Sequence, residues 1–141
     1  MTKQKVGVIG LGSMGLGVAR TLVAKGFEVH ACDVRGEVVD AFGKDGGIGQ
    51  ASPKALGAAV PIAIVLVVNA DQTEQVLFGP EGAAHSMAPG SVVIASSTVA
   101  PEFAIDLGKR LAERGLLMID APVSGGAARA AKGEMTIMGS G

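Results

Sequence analysis

"VGVIGLGSMG", residues 6–15, decides how this chain reads. Residues 6–9 form a short apolar run and suit a buried strand. "MGLGVARTLVAKG" follows, with Val18, Leu22 and Val23 spaced for one helix face and Gly26 as a stop. Between strand and helix lie Gly10, Gly12 and Gly15, in G-x-G-x-x-G spacing. Spacing alone is a weak sign, because glycines cluster in many turns. The strand before it and the helix after it give the pattern its meaning, which is dinucleotide binding. Gly10 then allows the tight turn, Gly12 lets backbone approach a pyrophosphate, and Gly15 lets helix and strand pack closely. Leu11 completes the loop, and the amides near Ser13 and Met14 face the phosphates.

An acidic partner is present. Asp33 ends a second strand, "FEVHAC", eighteen residues after Gly15. An acid there accepts hydrogen bonds from both adenosine ribose hydroxyls and repels a 2′-phosphate, which favours NAD over NADP. Val34 follows it on the cofactor side. Arg35 counts the other way, because a nearby arginine accommodates that phosphate. The competing interpretation is a plain turn followed by an ordinary strand-end acid.

The rest of the chain alternates in the same manner. "EVVDAFGKDG" suits a short helix, "GIGQAS" a weak strand, and Ser52-Pro53 the start of another helix. Residues 60–68, "VPIAIVLVV", form the most hydrophobic strand, apolar on both faces as in a parallel sheet. "TEQVLFG" reads as a helix, residues 91–96 as a strand, "PEFAIDLGKRLAERG" as a helix, and residues 116–122 as a sixth strand. "AARAAKG" suits a small helix and "EMTIMG" a final strand. The expectation is an α/β fold: one domain over residues 1–141, a doubly wound, mostly parallel sheet with helices on both faces. The stop right after a strand suggests a domain whose remainder lies elsewhere.

Composition excludes several classes. With 141 residues, a net charge of -1 and no run of like charges, the chain shows no nucleic-acid surface. The longest apolar run, residues 58–68, contains Pro61 and is too short to span a bilayer. The single cysteine, Cys32, excludes an internal disulfide and fits a reducing compartment, so the expected location is cytoplasmic. "FGKDG" around Lys44 fails the Walker pattern. Tyrosine is absent, which rules out a Tyr–Lys dehydrogenase. His30 reads as a packed strand residue and His85 as a surface one; with Cys32 they show no metal-ligand spacing.

Ligands of an open α/β sheet bind outside the carboxyl ends of its strands. Three such ends carry small or polar residues: Val67-Val68-Asn69, Ser96-Ser97-Thr98, and "DAPVSGG". These ends gather beside the nicotinamide half of the cofactor. Thr98 has two readings, a hydroxyl against the nicotinamide or a helix N-terminal hydroxyl ahead of Pro101. Ser124, Gly125 and Gly126 also have two, an anion pocket for a carboxylate or a tight turn.

"GLGSMGLGVARTLVAKGFEV", "SSTVAP" and "DAPVSGGAARAAKGEMTIM", in that order along nearly the whole chain, resemble the β-hydroxyacid dehydrogenases. That group includes 3-hydroxyisobutyrate dehydrogenase and tartronate semialdehyde reductase. "VVNADQTEQVLFGPEG" and "GEMTIM" look most like its L-threonate dehydrogenase branch. The resemblance implies NAD-linked oxidation of a small 3-hydroxy acid, by hydride transfer from the hydroxyl-bearing carbon. It places Gly10, Gly12 and Gly15 on the pyrophosphate, Asp33 on the adenosine ribose, Thr98 against the cofactor, and Ser124, Gly125 and Gly126 on the substrate carboxylate. Val67-Val68 departs from a Leu-Pro pair found in many members.

The resemblance also implies a second, helical domain carrying a catalytic lysine and much of a homo-oligomer interface, so no catalytic residue is expected here. Lys132 reads as a solvated residue, not a substitute. General acid/base catalysis contributes ~10²–10⁴-fold, so residues 1–141 alone are expected to bind NAD weakly and to turn over negligibly. Tartronate semialdehyde reduction, 3-hydroxyisobutyrate oxidation and imine reduction remain alternative reactions. A non-catalytic NAD-binding scaffold module is the alternative of another class.

Overall fold

The computed structural model describes residues 4–67, 69–96, 100–120, 123–124 and 136–137. Val6, Val8 and Ile9 are buried in β1 (Lys5–Ile9), which pairs in parallel with β2 (Glu28–Cys32) on one side and β4 (Ile62–Val65) on the other. Beyond them lie β3 (Ile48–Gly49) next to β2 and, on the other side, β5 (Val92–Ala95) next to β4 and β6 (Leu117–Asp120) next to β5. The sheet of six strands runs β3-β2-β1-β4-β5-β6. The chain winds outward from β1 to β3, then crosses back to β4 on the opposite side. The reversal falls between β1 and β4, where an open parallel sheet forms its ligand crevice.

Among the described residues five α-helices connect the strands: α1 (Ser13–Ala24), α2 (Gly36–Lys44), α3 (Pro53–Ala59), α4 (Ala70–Phe78) and α5 (Pro101–Glu113). Pro53 and Pro101 occupy first-turn positions, where a missing amide costs nothing. Ser52 caps α3 by accepting from the Ala55 amide at 3.1 Å. Side chains alternate across each strand, so each face gathers its own apolar cluster. Val8, Val29 and Ala31 meet Ala19 of α1 and Phe42 of α2. Ile9, Val65, Val93 and Ala95 meet Leu56 of α3, Leu77 of α4, and Leu107 and Leu111 of α5. Helices on both faces make the sheet doubly wound, as expected. Arg110 of α5 stacks on Phe78 at 4.4 Å and pairs with Glu74, tying α5 to α4.

Two stretches differ from the sequence reading. The run 60–68 is not one strand. Val60 closes α3, Pro61 has no amide for a ladder, and the chain leaves the ladder of β4 after Val65 to reach Asn69, the cap of α4. Residues 123–124 are not loop. β7 (Val123–Ser124) pairs antiparallel with β8 (Thr136–Ile137), apart from the main sheet. The expected small helix at residues 127–133, with Lys132, lies outside the described residues. Among the described residues no helix is long and apolar enough to cross a membrane.

Phe42 is fully buried, with its ring over Gly47, while Ile105 of α5 is 61% exposed. Phe42→Ala should lose about 3–5 kcal/mol of stability, and Ile105→Ala less than about 0.5 kcal/mol. Urea denaturation followed by circular dichroism measures both.

Candidate cofactor site

The glycine loop is built by exclusion. Gly10 leaves β1 at φ +102°, and a Cβ there would stand 2.6 Å from the Leu66 carbonyl oxygen. Only glycine meets both conditions cheaply. A Cβ on Gly15 would lie 1.8 Å from the Gly10 carbonyl oxygen, so α1 sits directly against the end of β1. Gly12 is the opposite case: among the described residues, none but its chain neighbours comes within 4 Å of where its Cβ would project. Its backbone therefore faces open space. Gly12 is also the residue ahead of α1, and it has no side chain to cap the helix. The first bond of α1 runs from the Leu16 amide to the Gly12 carbonyl at 2.8 Å, so the amides of Ser13 and Met14 precede it. Uncapped amides under the positive end of a helix dipole suit a pyrophosphate. The residues present fit the phosphate half of a dinucleotide.

Leu11 takes a different place from its neighbours. Its side chain is 2% exposed and packs in the cluster under α1 and α2. Its amide donates to Asp33 Oδ2 at 2.6 Å. Leu11 therefore holds the Asp33 carboxylate, and its own side chain faces the core. Asp33 Oδ1 accepts from the Arg35 amide at 2.9 Å and from Arg35 Nε at 3.0 Å, while Oδ2 also accepts from Arg35 Nη2 at 3.1 Å. Burial works to raise the Asp33 pKa, but the bonds from the Arg35 side chain, the Arg35 amide and the Leu11 amide outweigh it. The carboxyl is held below its ordinary value of 3.8. Val34, between the two, is fully exposed. An open groove of about 820 Å³ leads from Asp33 and Val34 past Val39 and Lys44 to Gln50.

Other predicted residues are placed as follows. Val67 is half-buried beside Gly10, against the apolar cluster under α4. Asn69 is the N-cap of α4: its Oδ1 accepts from the Gln72 amide at 2.9 Å. Ser96 is buried at the end of β5, where its amide donates to the Val65 carbonyl at 3.0 Å. The backbone of Ser124 lies in β7. Val68, Thr98, Gly125 and Gly126 lie outside the described residues.

His30 is a packed strand residue, as its position implied. Gln50 Nε2 donates to its Nδ1 at 2.8 Å, so Nε2 carries the proton and donates to Glu28 Oε2 at 2.9 Å. Burial, aided by the Asp33 charge, pushes the Cys32 thiol up to about 12, so it stays neutral and unreactive. No group of three metal-ligating side chains occurs among the described residues. Sequence reasoning missed Gln50, which lines the groove and orients His30 from a weak strand; nothing local in "GIGQAS" signals it.

The profile of the NAD-binding domain of 6-phosphogluconate dehydrogenase matches residues 5–141. The chain belongs to that family. An L-threonate dehydrogenase of Cupriavidus necator is 62% identical over 138 residues, which cover 98% of this chain and 46% of that protein. The L-threonate dehydrogenase of Escherichia coli K12 is 44% identical, with 96% of this chain and 45% of the relative covered. The crystal structure of 3-hydroxyisobutyrate dehydrogenase from Salmonella typhimurium superposes with a TM-score of 0.93 at 43% identity, covering 99% of this chain and 48% of that one. The chain thus spans about half the length of the curated relatives it matches. It is an NAD-binding domain, similar to the matched part of L-threonate and 3-hydroxyisobutyrate dehydrogenases.

The lowered pKa of Asp33 makes a stability prediction. The group adds stability at pH values above its ordinary 3.8 and loses it as pH falls through the depressed value. Thermal melting should therefore drop on acidification below about pH 4. Asp33→Asn should shrink that drop and lower the melting temperature near neutrality, as read by circular dichroism at stepped pH.

Proposed function

We propose that residues 1–141 form the cofactor half of an NAD-dependent 3-hydroxyacid dehydrogenase acting on L-threonate-like sugar acids. The observation that carries the cofactor assignment is Asp33, half-buried just past the end of β2 and fixed 2.6 Å from the Leu11 amide beside an uncapped helix. Phosphates and ribose then lie along one short path from Gly12 to Asp33. Bound there, NAD would supply the hydride acceptor. Within this chain the tasks are binding and orientation: Gly12, Ser13 and Met14 hold the pyrophosphate by backbone, and Asp33 holds the adenosine ribose.

Likeness at 62% identity to an L-threonate dehydrogenase supports the substrate class. In this reading Thr98 lies against the cofactor, Ser124, Gly125 and Gly126 take the substrate carboxylate, and the proton-transfer group comes from outside residues 1–141. A cytoplasmic location is supported by the single buried Cys32. Exposed Leu117 and Ile119 on β6 support self-association of the parent protein.

Calorimetric titration of the 141-residue chain tests the assignment. NAD should bind more tightly than NADP, and Asp33→Ala should weaken NAD by about 10–100-fold, the worth of hydrogen bonds to a charged group. Tighter binding of NADP, or an unchanged affinity in Asp33→Ala, would reject it.

A further inference from the structure

Glu28, His30 and Cys32 alternate with Val29 and Ala31 along β2, so the two sets face opposite sides of the sheet. Val29 and Ala31 pack under α1 and α2. His30 therefore lies on the side of α3, between Gly7 of β1 and Ile48 of β3. The ring is almost closed from solvent, at 7% exposure. Ionisable groups on this side are few. Lys5 comes from β1, beside Glu28, and Lys54 from α3, and both are exposed. β3 brings none, and the Cys32 thiol stays neutral. Both ring nitrogens are held. Glu28 Oε2 lies 2.9 Å from Nε2, and an ionised carboxylate only accepts, so Nε2 needs its proton in either charge state of the ring. Charging the ring therefore happens at Nδ1. The partner there is Gln50 Nε2, a donor at 2.8 Å. A proton on Nδ1 would set donor against donor. A backbone amide in that place could not answer. A primary amide can, because half a turn about its last bond exchanges NH2 for C=O at nearly the same point.

We propose that Glu28, His30 and Gln50 form a proton-driven switch between β2 and β3, in which charging of His30 turns the Gln50 side-chain amide through half a rotation. With the ring neutral, the Gln50 NH2 group donates to Nδ1. With the ring charged, Nδ1 donates to Gln50 Oε1, and the Glu28 carboxylate balances a charge that burial alone would penalise. The backbone keeps its place in both states. The Gln50 backbone amide stays on the Ala31 carbonyl at 2.8 Å, and β3 stays on β2. What changes is the half of the side-chain amide that His30 does not hold. Gln50 lines the groove that opens at Asp33, so acid replaces a carbonyl by an NH2 group at that wall. The wall then favours a ligand atom that accepts, where the neutral state favours one that donates. The switch stands whether or not NAD is the ligand of the site.

The test is NMR of the ¹⁵N-labelled 141-residue chain, titrated from about pH 8 to about pH 5, the range in which histidine changes charge. Long-range ¹H–¹⁵N correlations show which ring nitrogen carries a proton, and His85→Asn tells the two rings apart. At the alkaline end His30 should carry its proton on Nε2, with Nδ1 bare. As the ring gains its second proton, the Gln50 side-chain NH2 signals should shift with the same midpoint, while the backbone amides of residues 48–50 keep their protection from exchange. Gln50→Leu has no group to turn, and should need about tenfold more acid to charge the ring, the worth of one hydrogen bond to a charged group. Gln50→Glu presents an acceptor in either orientation, and should hold the ring charged at a pH where wild type is neutral. Four results overturn the proposal: a neutral ring protonated on Nδ1, a ring that stays neutral throughout, Gln50 NH2 signals that ignore the ring, or loss of protection in β3 on charging. Gln50→Leu charging at the wild-type acidity does so as well. Melting curves identify any variant that does not fold, and the wild-type NH2 signals then decide alone.

Discussion

The carbonyl oxygen of Gly10 lies where the side chain of residue 15 would begin, 1.8 Å from an ideal Cβ. That exclusion fixes α1 against the end of β1 with no room for adjustment. The other features of the site follow from it. The amides at the start of α1 are brought to the rim of the sheet, and Gly12 is left facing open space. Leu11 has one way to turn, inward to the cluster beneath α1, which points its amide at Asp33. A larger residue at position 15 would move the helix, and with it the amides at the start of α1 and the donor that holds Asp33.

Asp33 has two tasks that pull against each other. It joins the end of β2 to the glycine loop that follows the neighbouring β1, and that task wants every lone pair occupied. In the proposed function it would also receive a ribose, and that task wants lone pairs open. The chain resolves this by rank of donor. Backbone amides, which cannot leave, serve the architecture. The half-exposed Arg35 guanidinium covers the remainder.

Much of this was legible in the residues. The strand–glycine–helix order of residues 6–26 and the acid at position 33 follow from periodicity and spacing, and both depend on local chain geometry. The doubly wound sheet followed from alternation of apolar runs with helical patterns. What stayed hidden depends on contacts between distant segments. The inward turn of Leu11 is set by the packing of α1 over β1 and β2, and a G-x-G pattern does not reveal it. Asn69 looked like the end of a strand because the apolar run 60–68 conceals where pairing stops, a point set by β1 and β5 on either side. The β7–β8 pair is two residues long on each side and leaves no period to read. The Arg35 fork lies two residues from Asp33, yet whether it pairs there or reaches solvent depends on side-chain rotamers.

The central claim is that a dinucleotide lies across the end of β1, from the α1 amides to Asp33. Backbone amide chemical shifts of the ¹⁵N-labelled chain, titrated with NAD, report on that path residue by residue. The account predicts the largest changes at residues 11–15 and 33–36, with α5 unmoved. Changes confined to α4, α5 or the outer strands, with the glycine loop silent, would contradict it.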